Sequence, residues 1–395
     1  MVAASQSDHW SDTHWLRSDV DAFLARQCVA EGCELMENVD IVQAQRGDAV
    51  WSVQVVDRTM GDELRRIRAR WLIDAGGGGD FSVRWLGNQH DDDWMKTQTG
   101  SVFGHFRNVD SFTSQLGTQK TPIDPIAGFH PDDSAQHHVT EEGWMWMLRF
   151  DNGVTSVGIV KPTSQWKAID NHSEASHVWS HWLSQYPSIS ATMGHACHVG
   201  PNKSWLRWSN RLSRCRKRAV GDGWVQLPTA YGFVDPLHST GIAHALSGVV
   251  RIAELLIQDG TLDPCTSARW VEYDRQLRQE IKWIDLLVGG CYRSLPSFEN
   301  FCAFSAWYFA STIQFERVMA RDPSRWGDGY LTCENEMLQR KVEESFCQIH
   351  KRNGAANVEW IRKEIEPWND VGLLEPIQGQ RIPHTAPPKY VAKLV

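Results

Sequence analysis

This chain has no excess of basic residues, no membrane-length apolar run and no paired-cysteine motif. Its 40 Lys and Arg stand against 48 Asp and Glu over 395 residues, a net charge of −8. A general nucleic-acid surface needs the opposite balance to displace counterions, so no nucleic-acid partner is expected. The most apolar windows, such as Gly248 to Ile257, are interrupted by Arg251 and Glu254, and no membrane span is expected. The opening MVAASQSDHWSDTHW lacks the basic-then-apolar order of a secretion signal. Nine cysteines contain no C-x-x-C pair and form no even framework, which reads as a reduced, cytoplasmic setting. G-x-S-x-G and Walker A elements are missing. The glycine pairs 76/78, 77/79, 221/223 and 327/329 have neither Gly nor Ala three residues on, so the G-x-G-x-x-G/A dinucleotide fingerprint is absent. There is no internal repeat and no low-complexity tract.

What is there can bury a core: 42% of residues are hydrophobic and 22% charged. At roughly 150 residues per domain, the length suits two or three domains or one large α/β body. The spacing of Leu16, Val20, Phe23 and Leu24 predicts a helix over Arg17 to Gly32, with Ser18 as its cap. Alternation predicts a hairpin whose second strand runs on from Ile67 through Ile73 and Asp74 into four glycines, Gly76 to Gly79. Residues 100–165 read as sheet, with His137 to Phe150 extended and a turn at Asp151-Asn152-Gly153. An amphipathic helix is predicted over 172–186, carrying Val178, Trp182 and Leu183. Another follows over Ile242 to Ile257, with Ile242, Leu246, Val249, Ala253 and Leu256 on its apolar face. From Asp263 on, the chain reads as helical (268–287, 298–320 and 333–353), ending in a proline-rich tail of about twenty residues.

Few residues carry chemistry by themselves. The segment from Trp224 delivers Ser239-Thr240-Gly241 onto a helix start, where unpaired N–H groups favour an anion, though a Ser or Thr before an apolar run is also an ordinary cap. Arg207, Arg211, Arg214, Arg216, Lys217 and Arg218 form a basic cluster, read as a solvated face in preference to a phosphate contact. His137-His138 with Glu141-Glu142, and His195 with His198, are weak metal candidates. Adjacent residues of a strand face opposite ways, and no metal is expected.

Three ordered motifs carry a resemblance: Asp74-Ala75-Gly76-Gly77, Gly143-Trp144-Met145-Trp146-Met147-Leu148-Arg149, and Gly232-Phe233-Val234-Asp235-Pro236-Leu237-His238-Ser239-Thr240-Gly241. Their order and separations resemble flavin-dependent, tryptophan-type halogenases and related FAD monooxygenases of the p-hydroxybenzoate-hydroxylase type, over roughly residues 15 to 260. The helix from Arg17 resembles the Arg/Asp/Leu helix of the same enzymes. The resemblance implies an α/β FAD-binding fold, N-terminally incomplete, with an inserted antiparallel substrate sheet and a helical C-terminal region. The expected divisions are 1–95 and 201–262 for the FAD-binding part, 96–200 for the substrate sheet, and 263–395 for the helical region and tail. It further implies FAD, reduced by NAD(P)H or a partner flavin reductase, and a small aromatic or unsaturated substrate. Arg17, Asp74, Gly76, Gly77, Thr229, Asp235, Pro236, Thr240, Gly241 and Ile242 would touch the cofactor. Trp144 and Trp146 would line the substrate pocket. His238 and Ser239 would be catalytic, His238 standing where tryptophan halogenases carry a Glu and serving as a neutral proton acceptor.

The sequence also departs from that pattern. The family's opening fingerprint and its catalytic Lys have no counterpart, Pro228-Thr229 replaces the usual Gly-Asp, and Met147-Leu148 replaces Ile-Pro. Generic oxidation therefore ranks above chlorination. Two other readings stay open: a non-catalytic or truncated remnant that binds FAD poorly, and a flavin-dependent reductase of isoprenoid double bonds.

Overall fold

A computed structural model describes residues 13–78, 80–118, 131–200, 206–259, 267–322, 324–325, 329–352 and 354–374. The expected tail lies outside the described residues. Helix α1 (Arg17–Ala30) precedes a three-stranded antiparallel sheet of β1 (Val39–Arg46), β2 (Trp51–Asp57) and β3 (Glu63–Ala69). Ser18 does not cap α1: Leu16 holds the N-cap position and no side chain bonds there. The predicted hairpin is β2 with β3, Trp51 opposite Ala69. Its second strand does not run on to Asp74. Trp71 turns aside to pack on Trp270, ring centres 5.1 Å apart, and the next strand, β4 (Leu72–Asp74), joins a different sheet.

After α2 (Phe81–Leu86) comes the larger sheet. It contains β5 (Thr99–Arg107), then, beyond α3 (Phe112–Thr118), β6 (Gln136–Val139), β7 (Trp144–Arg149) and β8 (Thr155–Pro162). Helices α4 (His172–Gln185) and α5 (Pro187–Thr192) precede β9 (Cys197–His198) and β10 (Arg207–Ser209). The order is β10-β5-β8-β7-β6, with β9 on the end of β5. The predicted single run from His137 to Phe150 is a hairpin, closed where the Thr140 N–H and hydroxyl both bond the Gly143 carbonyl. The period of two sorts the faces: Met145, Met147, Val157 and Ile159 pack with Trp179 and Trp182 of α4, while Trp144 and Val160 turn toward the helical region. Asn171 caps α4 by accepting from the Glu174 N–H.

The chain then forms β11 (Arg214–Cys215), β12 (Val220–Gly221), β13 (Trp224–Gln226), α6 (Pro228–Tyr231), β14 (Gly232–Phe233) and α7 (Gly241–Asp259). Strand β13 lies between β12 and β4 and runs parallel to β4, with Gln226 opposite Asp74. Helices α8 (Ala268–Ser294), α9 (Phe298–Arg321), α10 (Glu336–Gln348) and α11 (Gly354–Glu364) supply most of the largest core.

Helix α7 reverses its expected orientation. Ile242, Leu246 and Val249 are 39–46% exposed, while His244, Ser247, Arg251 and Ile252 are buried. The inward polar face serves one carboxylate. Glu280 of α8 lies 2.8 Å from His244 Nε2, accepts from Arg251 Nη1 at 2.8 Å and accepts from the Tyr330 N–H at 2.9 Å. Burial alone would raise its pKa, but Arg251 and His244 outweigh that and bring it to about 2. Leu237–Gln258 is long and apolar enough to cross a membrane by length and composition, which qualifies the expectation drawn from the sequence. Its Arg251 is nonetheless tied into the core by Glu280.

Candidate functional site

Because β4 and β13 are parallel neighbours, the segments that leave their carboxyl ends emerge side by side, the usual ligand position of an open α/β sheet. One segment is Asp74 to Gly78 and the other begins Leu227-Pro228-Thr229. Asp74 is buried and fully engaged: its Oδ1 accepts from the Gly76 N–H at 2.9 Å, and its Oδ2 accepts from Gln226 Nε2 at 2.8 Å. Gly77 takes a left-handed φ of +61°, and this turn stands at the surface without side chains. Arg214 joins the two segments. Its Nη2 donates to the Thr229 carbonyl at 2.9 Å, and a Cβ on Gly78 would lie 3.5 Å from its Cζ.

A second cluster lies where the larger sheet meets the helical region. Asp235 is buried and accepts from Thr99 Oγ1 at 2.5 Å, Tyr292 Oη at 3.0 Å and the Leu237 N–H at 2.9 Å. Burial raises its carboxyl pKa to about 6 against those donors. Tyr292 in turn accepts from Trp144 Nε1 at 2.8 Å, so strand β7, helix α8 and the loop before α7 share one chain of hydrogen bonds. Trp144 is buried, and His137 stacks on it at 5.0 Å. Trp146 is partly buried, 5.9 Å from Trp144, and bonds Ser156. Its ring lies across Gly158, where a Cβ would come within 2.1 Å.

His238 lies on the helical side of this cluster. Its ring stacks on Tyr308 at 4.3 Å, meets Phe309 edge-on, and places Nε2 3.5 Å from Cys291 Sγ. Burial, then the neighbouring His137, push its pKa well below the ordinary imidazole value, so the ring is neutral. His238 and Ser239 both take left-handed φ, +66° and +57°, a costly backbone for residues with a Cβ. Ser239 is exposed and Pro236 partly so, whereas Thr240 is buried and its carbonyl accepts from Tyr330 Oη. A Cβ on Gly241 would lie 3.3 Å from Phe233. Arg17 bonds Asp21 on its own helix and makes no hydrogen bond to the glycine turn or Thr229 among the described residues.

The basic cluster departs from the solvated-face reading. Arg207, Arg211, Lys217 and Arg218 are exposed, but Arg216 is fully buried and Arg214 partly so, because β11 carries the chain inward to pair with β14. Sequence reasoning also missed Thr99, Tyr292, Tyr308 and Tyr330. Nothing in their spacing separates them from ordinary core residues.

The tryptophan halogenase family model matches residues 13–294. The chain belongs to the tryptophan halogenase family. Tetracycline 7-halogenase of Kitasatospora aureofaciens is 26% identical over 313 residues, covering 78% of this chain and 54% of that protein. Monodechloroaminopyrrolnitrin halogenase of Pseudomonas fluorescens is 26% identical, covering 78% and 53%. The chain thus spans about half the length of the curated relatives it matches. Among solved structures, halogenase PltM with phloroglucinol and FAD superposes with a TM-score of 0.74 at 20% identity, over 91% of this chain and 75% of that one. A flavoprotein/dehydrogenase of Cytophaga hutchinsonii gives 0.60 at 17% identity, over 89% and 79%. These neighbours share the α/β FAD-binding fold implied by the sequence motifs.

Proposed function

We propose that this halogenase-family chain carries out FAD-dependent oxidation of a small aromatic molecule, with halogenation as the specific outcome. Family membership supports the chemistry. The observation that carries the site is the meeting of the glycine turn and the Thr229 segment at the ends of β4 and β13, around Arg214. These residues fit FAD: bare glycines allow close approach, and Arg214 offers a cation that no described carboxylate neutralises. Asp74, Gly76, Gly77, Thr229 and Arg214 would hold the cofactor, with Asp235, Pro236, Thr240, Gly241 and Ile242 toward its ring. Bound FAD supplies O₂ activation and, with halide, an oxidised halogen. NAD(P)H or a partner flavin reductase is the proposed electron source, and the cytoplasm the proposed setting.

The chain's own residues would do the rest. Trp144 and Trp146 form an aromatic wall whose orientation Tyr292, Ser156 and Gly158 fix. His238, neutral at physiological pH, can accept the proton that an aromatic ring releases on substitution. With Thr229 in place of a carboxylate, FAD should bind weakly. That replacement also favours a second reading, a ligand-binding protein without turnover.

One assay separates the two. The purified chain is incubated with excess FAD, a flavin reductase, NADH, bromide or chloride, and phloroglucinol, the compound bound in the PltM structure. A halogenated or hydroxylated product by mass spectrometry supports the enzyme reading, and His238→Ala should lower its rate roughly 10²-fold with FAD affinity unchanged. Absence of any oxidised product at saturating FAD supports the second reading.

A further inference from the structure

Helix α1 ends in a backbone closure that sets two thiols beside one another. The stretch Cys28-Val29-Ala30-Glu31-Gly32-Cys33 holds two of the chain's nine cysteines. At the helix end the Cys33 N–H donates to the Cys28 carbonyl at 3.0 Å, and inside that bond the Gly32 N–H donates to the Val29 carbonyl at 3.0 Å. Gly32 makes the reversal with a left-handed φ of +91°. Such a nested pair of bonds folds the residue after the glycine back over the third residue from the helix end, and the side chains at those two positions commonly meet. The two positions here are Cys33 and Cys28. At most helix ends of this kind the pair is apolar and packs; in this chain both members are free thiols, and both are exposed. Exposed side chains exchange rotamers within nanoseconds, so the two sulfurs sample one another's reach. Helix α1 buries no residue, so a bond closed at its end leaves the core undisturbed. The other described cysteines differ: Cys215, Cys291 and Cys333 are buried, and exposed Cys197 and Cys347 are each alone in their element.

We propose that Cys28 and Cys33 form a reversible dithiol–disulfide site, oxidised by a low-molecular-weight disulfide of the glutathione type. One cysteine thiolate attacks a sulfur of glutathione disulfide and expels one glutathione thiolate. The other cysteine's thiolate then attacks the protein sulfur of that mixed disulfide, expels the second glutathione and leaves the Cys28–Cys33 bond. Two protein thiols are oxidised and one glutathione disulfide is reduced to two glutathiones, with no other electron carrier needed. Excess glutathione drives the same exchange backward, which fits a compartment where such bonds are transient. The site does not depend on the flavin reading.

The test is peptide mass spectrometry of the full chain, equilibrated at fixed reduced glutathione with rising glutathione disulfide, then acid-quenched and alkylated. Trypsin releases Gln27–Arg46, which holds Cys28 and Cys33 and no other cysteine, and Val342–Lys351, which holds Cys347 alone. Gln27–Arg46 should lose two hydrogens and carry no glutathione, while Val342–Lys351 should gain one glutathione. Gly32→Ala keeps both thiols, and its Cβ would meet no atom within 4 Å, but it disfavours the left-handed turn. It should need roughly 5-fold or more additional glutathione disulfide for half-oxidation. In Cys28→Ser, Cys33 should stop at the mixed disulfide. Both substitutions lie at exposed positions, and the wild-type masses decide by themselves if either variant fails to fold. A wild-type Gln27–Arg46 peptide that carries glutathione on both cysteines, stays reduced while Val342–Lys351 is modified, or is joined to another chain overturns the proposal. So does half-oxidation of Gly32→Ala at the wild-type glutathione disulfide concentration, or an unmodified Cys33 in Cys28→Ser.

Discussion

The larger sheet with α4 and the helix α7 solve the same problem in opposite ways. In the sheet, Met145, Met147, Val157 and Ile159 alternate inward and are fully buried under α4. In α7 the apolar stripe of Ile242, Leu246 and Val249 faces outward, and a histidine, a serine and an arginine face the core around Glu280. Helix α1 goes further and buries no residue at all, with Phe23 51% and Leu24 47% exposed. Periodicity therefore identifies a face without saying what covers it. In the sheet, the partner helix follows within ten residues of β8. In α7, one buried carboxylate from a helix downstream decides the rotation, because leaving Arg251 inside without Glu280 would cost more than exposing three aliphatic side chains.

That difference can be broken deliberately. Glu280→Gln should have the largest effect, about 3–5 kcal/mol of stability by denaturant unfolding, because it strands Arg251 in the core. The pair should also be acid-sensitive. The folded Glu280 pKa of about 2 lies below its ordinary value, so its contribution is complete above the ordinary carboxylate range and is lost as pH falls toward 2. Next, Ile159→Ala in the sheet should cost about 2–5 kcal/mol. Leu246→Ser on the outward face of α7 should cost under about 0.5 kcal/mol. A Leu246→Ser loss as large as that of Ile159→Ala would show that something covers this face in solution.

Asp235 sits where the two regions meet and gives a pH signature of opposite sign to that of Glu280. Its folded pKa of about 6 lies above the ordinary value, so its ionised form is disfavoured in the fold. Stability should therefore fall as pH rises through ~4 to ~6, and Asp235→Asn should remove that slope. Urea midpoints measured across this range check it. Ser239→Gly should gain about 1 kcal/mol by relieving a left-handed serine, read from the same urea midpoints.

Much of the architecture was legible in the residues. The extended run ending at Phe150 and the Asp151-Asn152-Gly153 turn placed the β7–β8 hairpin, and the helical stretches read from Asp263 on placed α8 and α9. The break between β3 and β4 was not legible, since Ile67, Ala69, Trp71 and Ile73 alternate without interruption and only the distant Trp270 draws Trp71 aside. Strand β1 was missed for a related reason: its burial follows no period of two. At the site, the motifs placed Asp74, Thr229, Asp235 and His238 in sequence, and the parallel pairing of β4 with β13 explains why two of their segments meet. Arg214 was visible only as one of six basic residues. Its role depends on which of them lack a carboxylate, a property of the fold and not of the spacing.

Hydrogen–deuterium exchange with and without saturating FAD tests the central assignment most directly. Protection should appear in the peptides covering 72–78 and 226–241, the segments at the ends of β4 and β13 and before α7, with little change in β1–β3. Protection confined to other segments, or none at a concentration where FAD demonstrably binds, would contradict the placement of the flavin site.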